Sequence, residues 1–359
     1  MLVDLRAQYA RIRDDVDRRI KAVLEHGQYI LGPEVRELED RLAAQVGVKH
    51  CLAVASGTDA LLMSLMALGV GPGDEVVTTP FTFVATAEVI RLVGATPVYG
   101  DIDPQTYNLD PGGIEALITK RTRAIMPVSL FGQCADFDAI NAIAARHGLP
   151  VIEDAAQSLG ATWNGKPSCS LTTLAGTSFY PSKPLGGYGD GGAVFTGDDE
   201  LARLLREIRV HGQSATYKYA RIGINGRLDS IQCAILLAKL AVFPDELERR
   251  ARIAQRYDQL LAGVVQTPLV PTPATSVYAQ YTIEVDDRDA VRARLKDAGV
   301  TTGVYYPGTL NHEGPYRDER ARVPHAERAA TRVLALPFDA YLTAERQDAI
   351  VESVKRALR

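Results

Sequence analysis

The chain has 359 residues, 46% of them hydrophobic and 23% charged, with a formal net charge of −4 and a pI near 5.9. That acidic balance attracts neither a nucleic-acid backbone nor an anionic membrane surface. No stretch reaches the roughly 18 apolar residues of a membrane helix. The length suits about two domains, or one large α/β domain with an appendage. The start, MLVDLRAQYARIRDD, lacks an apolar leader core, so a soluble, cytoplasmic protein is expected. Cys51, Cys134, Cys169 and Cys233 lie far apart without a C-x-x-C pair and read as buried thiols in a reducing compartment.

Short apolar runs alternate with helix-length amphipathic segments, the pattern of a βα-repeating fold. The strands expected in chain order are CLAVAS (51–56), EVVTTP (75–80), TPVYGDID (96–103), RAIMPVSLF (123–131), PVIEDAA (150–156), GTSFYP (176–181) and GAVFTG (192–197). Between them, 58–68 puts Leu61, Leu62, Leu65, Met66 and Leu68 on one helical face, and 136–147 does the same with Phe137, Ile140 and Ile143. Several strands are apolar throughout, as when helices cover both faces of a sheet. The expectation is an α/β fold with a largely parallel, mixed, seven-stranded sheet. Beyond about residue 220 the pattern changes. A long helix over roughly 226–262 is expected to break or kink at Pro244. A Pro-rich segment (271–276), a strand VYAQYTIEV (277–285) and a helix at 288–298 follow. Residues 1–240 read as a large domain and 241–359 as a smaller C-terminal α+β domain.

Three segments carry candidate chemistry. Ser56-Gly57-Thr58-Asp59 joins a strand to a helix with the spacing of a capping box. A helix N-terminus with free N–H groups is also a phosphate cradle, although this motif alone reads first as an ordinary cap. Asp154 ends the apolar strand PVIED, with Gln157 just beyond. A lone Asp there is more often structural, yet ligands of open α/β sheets gather at carboxyl ends of strands, and an Asp is what a pyridinium nitrogen needs. Lys183 stands in TSFYPSKPLGGYGDGG, residues 177–192, between a strand and a glycine-rich turn. A loop lysine usually faces solvent. Its apolar and aromatic neighbours predict burial, hence a lowered pKa and the neutral amine that attacks a carbonyl.

Gly187-x-Gly189-x-x-Gly192 matches a dinucleotide fingerprint on paper, but AVFT after it is a strand, so no helix N-terminus would receive a pyrophosphate. Phe81 and Phe83 are candidates to stack on a cofactor ring, with core packing the default for either. The six histidines have no metal-ligand spacing, so no metal is expected.

Taken in order, these segments resemble the DegT/DnrJ/EryC1/StrS family of sugar aminotransferases, fold-type-I pyridoxal-phosphate enzymes. The resemblance rests on GQYILGPEVRELE, SGTDAL, GPGDEVVTTPFTFVATAE, DIDPQTYNLD, IEDAAQSLGA, SFYPSKPLGGYGDGGAVFT, RVHG and NGRLDSIQCAIL, spanning about residues 26 to 236. It implies that Lys183 holds pyridoxal 5'-phosphate, that Asp154 pairs with the ring nitrogen, and that Gln157 contacts the ring hydroxyl. Gly57, Thr58 and Ser178 would hold the phosphate and Phe83 would stack on the ring. Asn225 would reach the phosphate from a neighbouring subunit, with Arg227 contacting substrate, which makes the enzyme a homodimer with shared sites. The donor implied is glutamate and the acceptor a nucleotide-linked keto sugar. Within the family the chain is most similar to enzymes that aminate C3 of UDP-2-acetamido-2-deoxy-3-keto-hexuronic acid for O-antigen sugars. Tyr305 and Tyr306 would face the sugar. Here Tyr305-Tyr306-Pro307 stands where relatives carry His-Tyr-Pro, so another keto sugar, a keto cyclitol or a sugar dehydration stays open. So does a regulatory relative without catalysis.

Overall fold

Residues 2–359 are described by a computed structural model. Helices α1 (Leu5–His26) and α2 (Pro33–Val46) lead into β1 (His50–Val54), and α3 (Gly57–Ala67) follows. Then come β2 (Glu75–Thr78), α4 (Ala85–Leu92), β3 (Thr96–Tyr99), α5 (Pro111–Leu117), β4 (Thr122–Ile125), α6 (Phe137–His147) and β5 (Ile152–Asp154). A small hairpin of β6 (Thr162–Trp163) and β7 (Lys166–Pro167) precedes β8 (Leu174–Ser178) and β9 (Gly192–Thr196). A strand is present in each of the seven segments expected over 51–197, but most are shorter than expected: β3 stops at Tyr99, β4 at Ile125 and β5 covers only Ile152–Asp154. These strands form a four-stranded sheet, β1-β9-β8-β5, and a three-stranded parallel sheet, β3-β2-β4, with parallel bridges Ile125–Val151 and Val128–Asp154 between them. Within the four-stranded sheet β5 and β8 run parallel, and β9 is antiparallel to both its neighbours.

Side chains alternate across the pleat, so each strand supplies both layers. Leu52, Val54, Leu174 and Val194 pack with Leu61, Leu65, Val89 and Leu205 of the helices on one side. Cys51, Ala53, Ala175 and Phe195 pack with Leu38, Leu42, Leu236 and Phe243 on the other. The four cysteines are buried and unbridged, as expected.

After α7 (Asp199–Arg209), a hairpin of β10 (Gln213–Ala215) and β11 (Lys218–Tyr219) leads to α8 (Ser230–Leu261). Two expectations need correction here. The helix begins at Ser230, not 226, because 225–229 runs extended and bridges Val210, Val54 and Ile30. It also runs on through Pro244, so of the two outcomes expected there, break or kink, the break does not occur. Interior proline costs about 3 kcal/mol or more, but this helix is anchored on both sides of it: Leu240 and Phe243 are buried before it, and Arg250 donates to the Tyr278 carbonyl (2.9 Å) after it. The helix thereby crosses position 240/241. Beyond it, β12 (Tyr281–Glu284) pairs antiparallel with β13 (Val333–Leu336), while α9 (Arg288–Asp297), α10 (Pro324–Arg332) and α11 (Ala344–Ala357) complete the chain. Tyr257, Tyr281, Leu295, Leu334, Ile350 and Val354 share a core of their own. Among the described residues no helix is long and apolar enough to cross a membrane.

Candidate active site

Asp154 ends β5 with only 4% of its surface exposed. Thr86 Oγ1 of α4 donates to its Oδ2 (2.7 Å) and the Ala156 amide to its Oδ1 (3.2 Å). Burial pushes this carboxyl up, while those two hydrogen bonds and the charge of Lys183 pull it back. Lys183 lies five residues past the end of β8, partly buried, and its backbone amide donates to the Tyr180 carbonyl (2.9 Å). Desolvation lowers its pKa, and Asp154 opposes that shift. The loop bearing it closes where Gly187 donates to Phe179 O (2.7 Å). Gly186 allows the closure, because a Cβ there would lie 2.5 Å from the Pro181 carbonyl.

A second polar centre forms where α3 meets β8. Ser56 Oγ caps the helix by accepting from the Asp59 amide (3.0 Å). The first amides of the helix, Gly57 and Thr58, have no intrahelical acceptor, and the positive end of the helix dipole sits there. A Cβ on Gly57 would come within 2.7 Å of Ser178 Cβ, so the helix end touches Ser178 only because residue 57 is glycine. Ser178 Oγ accepts from the Tyr180 amide (3.2 Å), which leaves its proton available to a ligand.

The third part is aromatic. Phe83 is 57% exposed, whereas Phe81 is fully buried among Tyr107, Phe131 and Tyr306. Of the two stacking candidates, Phe81 is therefore a core residue. The Tyr306 ring lies 6.4 Å from Phe83, and its hydroxyl accepts from Gln157 Nε2 (3.2 Å). Gln157 Oε1 accepts from the Phe131 amide (2.8 Å), so its orientation is fixed and its amino group faces Tyr306. Burial, then the Asp154 charge, pushes the Tyr306 phenol up and keeps its proton on. Tyr305 packs edge-on against Tyr306 (6.0 Å) and folds over Gly303, where a Cβ would lie 2.6 Å from the ring.

Gly57 and Ser178 are thus in contact, Asp154 and Lys183 share one field, and Gln157, Tyr306 and Phe83 form one wall. Arg227 runs beside the entry to α3 through a bridge to Val54, with its Nε buried and unpartnered among the described residues. Asn225 is exposed, and its backbone pairs with Val210. Sequence reasoning missed Thr86, the hydroxyl that orients Asp154, because a hydroxyl 68 positions away leaves no spacing signal. It also missed Gln232 of α8, whose Oε1 accepts from the Tyr188 amide (2.9 Å) in the glycine-rich turn.

Comparison with known proteins decides what this arrangement is. Residues 10–355 match the DegT/DnrJ/EryC1/StrS aminotransferase family. The chain belongs to that family. A Pseudomonas aeruginosa relative, UDP-2-acetamido-2-deoxy-3-oxo-D-glucuronate aminotransferase, is 59% identical over 341 residues, covering 95% of each chain. A DegT/DnrJ/EryC1/StrS aminotransferase from Brucella abortus superposes with a TM-score of 0.97 at 45% identity, covering 100% of this chain and 99% of that one. A Bacillus subtilis protein with pyridoxamine phosphate bound as cofactor has a TM-score of 0.91 at 32% identity, covering 99% of this chain and 83% of that one. The protein is an aminotransferase, and its cofactor is pyridoxal 5'-phosphate. The residues present fit that group: an anion cradle at the α3 N-terminus, an accessible aromatic face, a buried carboxylate with acceptor capacity left, and a partly desolvated amine.

Proposed function

We propose that this enzyme moves the amino group of glutamate to C3 of a UDP-2-acetamido-2-deoxy-3-keto-hexuronic acid. The observation that carries the reading is the 59% identity, over 95% of both chains, to a protein named for that reaction. When bound, pyridoxal phosphate would supply an electron sink and a carbonyl able to take up an amino group. Lys183 would hold it, and once the donor's amine takes its place, the freed Nζ, made less basic by burial, would accept the donor's α-proton and give it back. Asp154, steered by Thr86, offers its carboxylate to the ring nitrogen. Gln157 would offer the second N–H of its fixed amino group to the ring hydroxyl, Phe83 would cover one face, and Gly57, Thr58 and Ser178 would bind the phosphate. Arg227, Tyr305 and Tyr306 line the acceptor side.

The working form in this reading is a homodimer in which Asn225 of the partner subunit completes the phosphate site. Exposed Tyr29, Ile30 and Leu31, joined to 229–230 by the Ile30–Asp229 bridge and the Ser230 amide, support a self-association face there, with Ile222 further along the same connection. The strands over 50–197 read as one mixed seven-stranded sheet. Residues 241–359 read as a small α+β domain entered through α8, which the separate core around Tyr281 supports. The setting that suits the product is cytoplasmic synthesis of surface-polysaccharide sugars.

Acceptor choice is testable with glutamate and purified keto sugars, locating the new amine by NMR. The UDP-linked 3-keto hexuronic acid should exceed dTDP-linked 4-keto hexoses and keto cyclitols in kcat/KM by at least ~10²-fold, since a site built to bind polar groups rejects analogues that lack them. Equal or reversed preference would move the acceptor assignment to the better substrate.

A further inference from the structure

Lys239 is 1% exposed, in the first third of α8, within the apolar run CAILLAKLAVF. Burying an ammonium is costly, and an apolar side chain of similar length would fill the space more cheaply. Its contacts are specific. Nζ donates to the Gly186 carbonyl at 2.5 Å and lies 4.3 Å from the centre of the Tyr188 ring. Both belong to the turn that follows Lys183. Seven residues earlier on the same helix, Gln232 accepts from the Tyr188 amide, and a Cβ on Gly187 or Gly189 would come within about 3 Å of the Gln232 amide group. Seven residues later, Glu246 accepts from Gln8 Nε2 of α1 (2.9 Å) and from the Tyr341 hydroxyl. Spacing by sevens keeps Gln232, Lys239 and Glu246 on one face of the helix. Tyr9 of α1 closes the outside of the turn, with its ring 6.2 Å from Tyr188.

We infer that Lys239 is a positioning residue for Lys183: its ammonium pins the Gly186 carbonyl and so fixes the loop that presents the catalytic amine. The loop 179–187 is already closed at its base by Gly187 N–H to Phe179 O. The carbonyl of Gly186, adjacent to that closure, is the point at which the rigid helix holds it. Burial draws the Lys239 ammonium down to about 8, with Glu246 opposing, so holding this group charged has a cost that the contact to Gly186 and the Tyr188 face offsets. The inference rests on Lys183 being the cofactor-bearing lysine.

The test compares Lys239→Met, which removes the donor and keeps the length, with Lys239→Arg, which keeps charge and donor. Two readouts are taken on the full chain: steady-state kinetics of the loaded enzyme, and amide hydrogen exchange with and without added pyridoxal phosphate. Lys239→Met should lower kcat roughly 10- to 100-fold, the effect of a misplaced reacting group, with the glutamate KM changed less than about 2-fold. Exchange at Gly187 and Tyr188 should quicken at least ~10-fold while α8 keeps its protection, and Lys239→Arg should recover most of the loss. Tyr188→Leu, at a surface position that does not threaten folding, should move both readouts the same way by less. Wild-type kcat in Lys239→Met would overturn the inference. So would a fall in kcat with the turn's exchange unchanged, or an exchange increase spread evenly over the chain. If Lys239→Met does not fold, a silent Tyr188→Leu overturns it equally. A retained activity of Lys183→Ala would instead sink the parent reading, so the two failures are distinguishable.

Discussion

Lys183→Ala should lower kcat about 10⁴-fold or more, the upper range for removing a positioned acid/base group together with a covalent attachment point. The expectation is this large because the proposed reading gives one amine both duties. Desolvation lowers its pKa toward the range where it can accept a proton, and the Asp154 field limits the shift, so it can also give the proton back. Binding should be affected far less: the α3 N-terminus, Ser178 and Phe83 do not depend on this side chain. Single-turnover measurement of glutamate consumption, with cofactor affinity determined in parallel, separates the two effects. A variant turning over within tenfold of wild type would assign the proton transfer to another residue.

The second large effect is expected at Asp154. Asp154→Asn keeps the shape but replaces a carboxylate by an amide where the proposed reading puts the ring nitrogen, and kcat should fall at least ~10²–10³-fold, as when a preorganised electrostatic partner is lost. Stability should move the opposite way. Burial raises this carboxyl above its unfolded value, so its contribution is fully present below the unfolded pKa and is lost as pH rises through the folded one. At neutral pH the charged form therefore costs the cofactor-free fold stability, and asparagine removes that cost. The cofactor-free variant should melt at or above the wild-type temperature at pH 7, with the difference vanishing below the unfolded pKa. A variant that loses activity and melts clearly lower would mean that Asp154 holds the fold, with its activity loss a consequence.

Much of the fold is legible in the sequence. The strands over 50–197 announce themselves because both layers of helices demand apolar residues on both faces, as Leu52/Ala53 and Val194/Phe195 illustrate. The partial burial of Lys183 is legible through its apolar neighbours and trailing glycines, and the Ser56 cap through its spacing. The break expected at Pro244 does not occur because packing on both sides of it outweighs the local backbone cost. Phe81 and Phe83 are two residues apart in one motif, yet only the fold says which is core and which is accessible. The contacts of Thr86, Gln232 and Lys239 with the site span dozens of residues and follow no local period. For Lys239 a signal did exist: a lysine inside CAILLAKLAVF has to find a partner, and the partner is the turn after Lys183.

The most direct test is the absorbance spectrum of the purified protein loaded with pyridoxal phosphate, before and after glutamate. The account predicts a visible band from the lysine-bound cofactor in wild type, bleached by glutamate and restored by the keto sugar, and missing from Lys183→Ala. A wild-type protein with no such band after reconstitution, or a band that persists in Lys183→Ala, would contradict the assignment of Lys183.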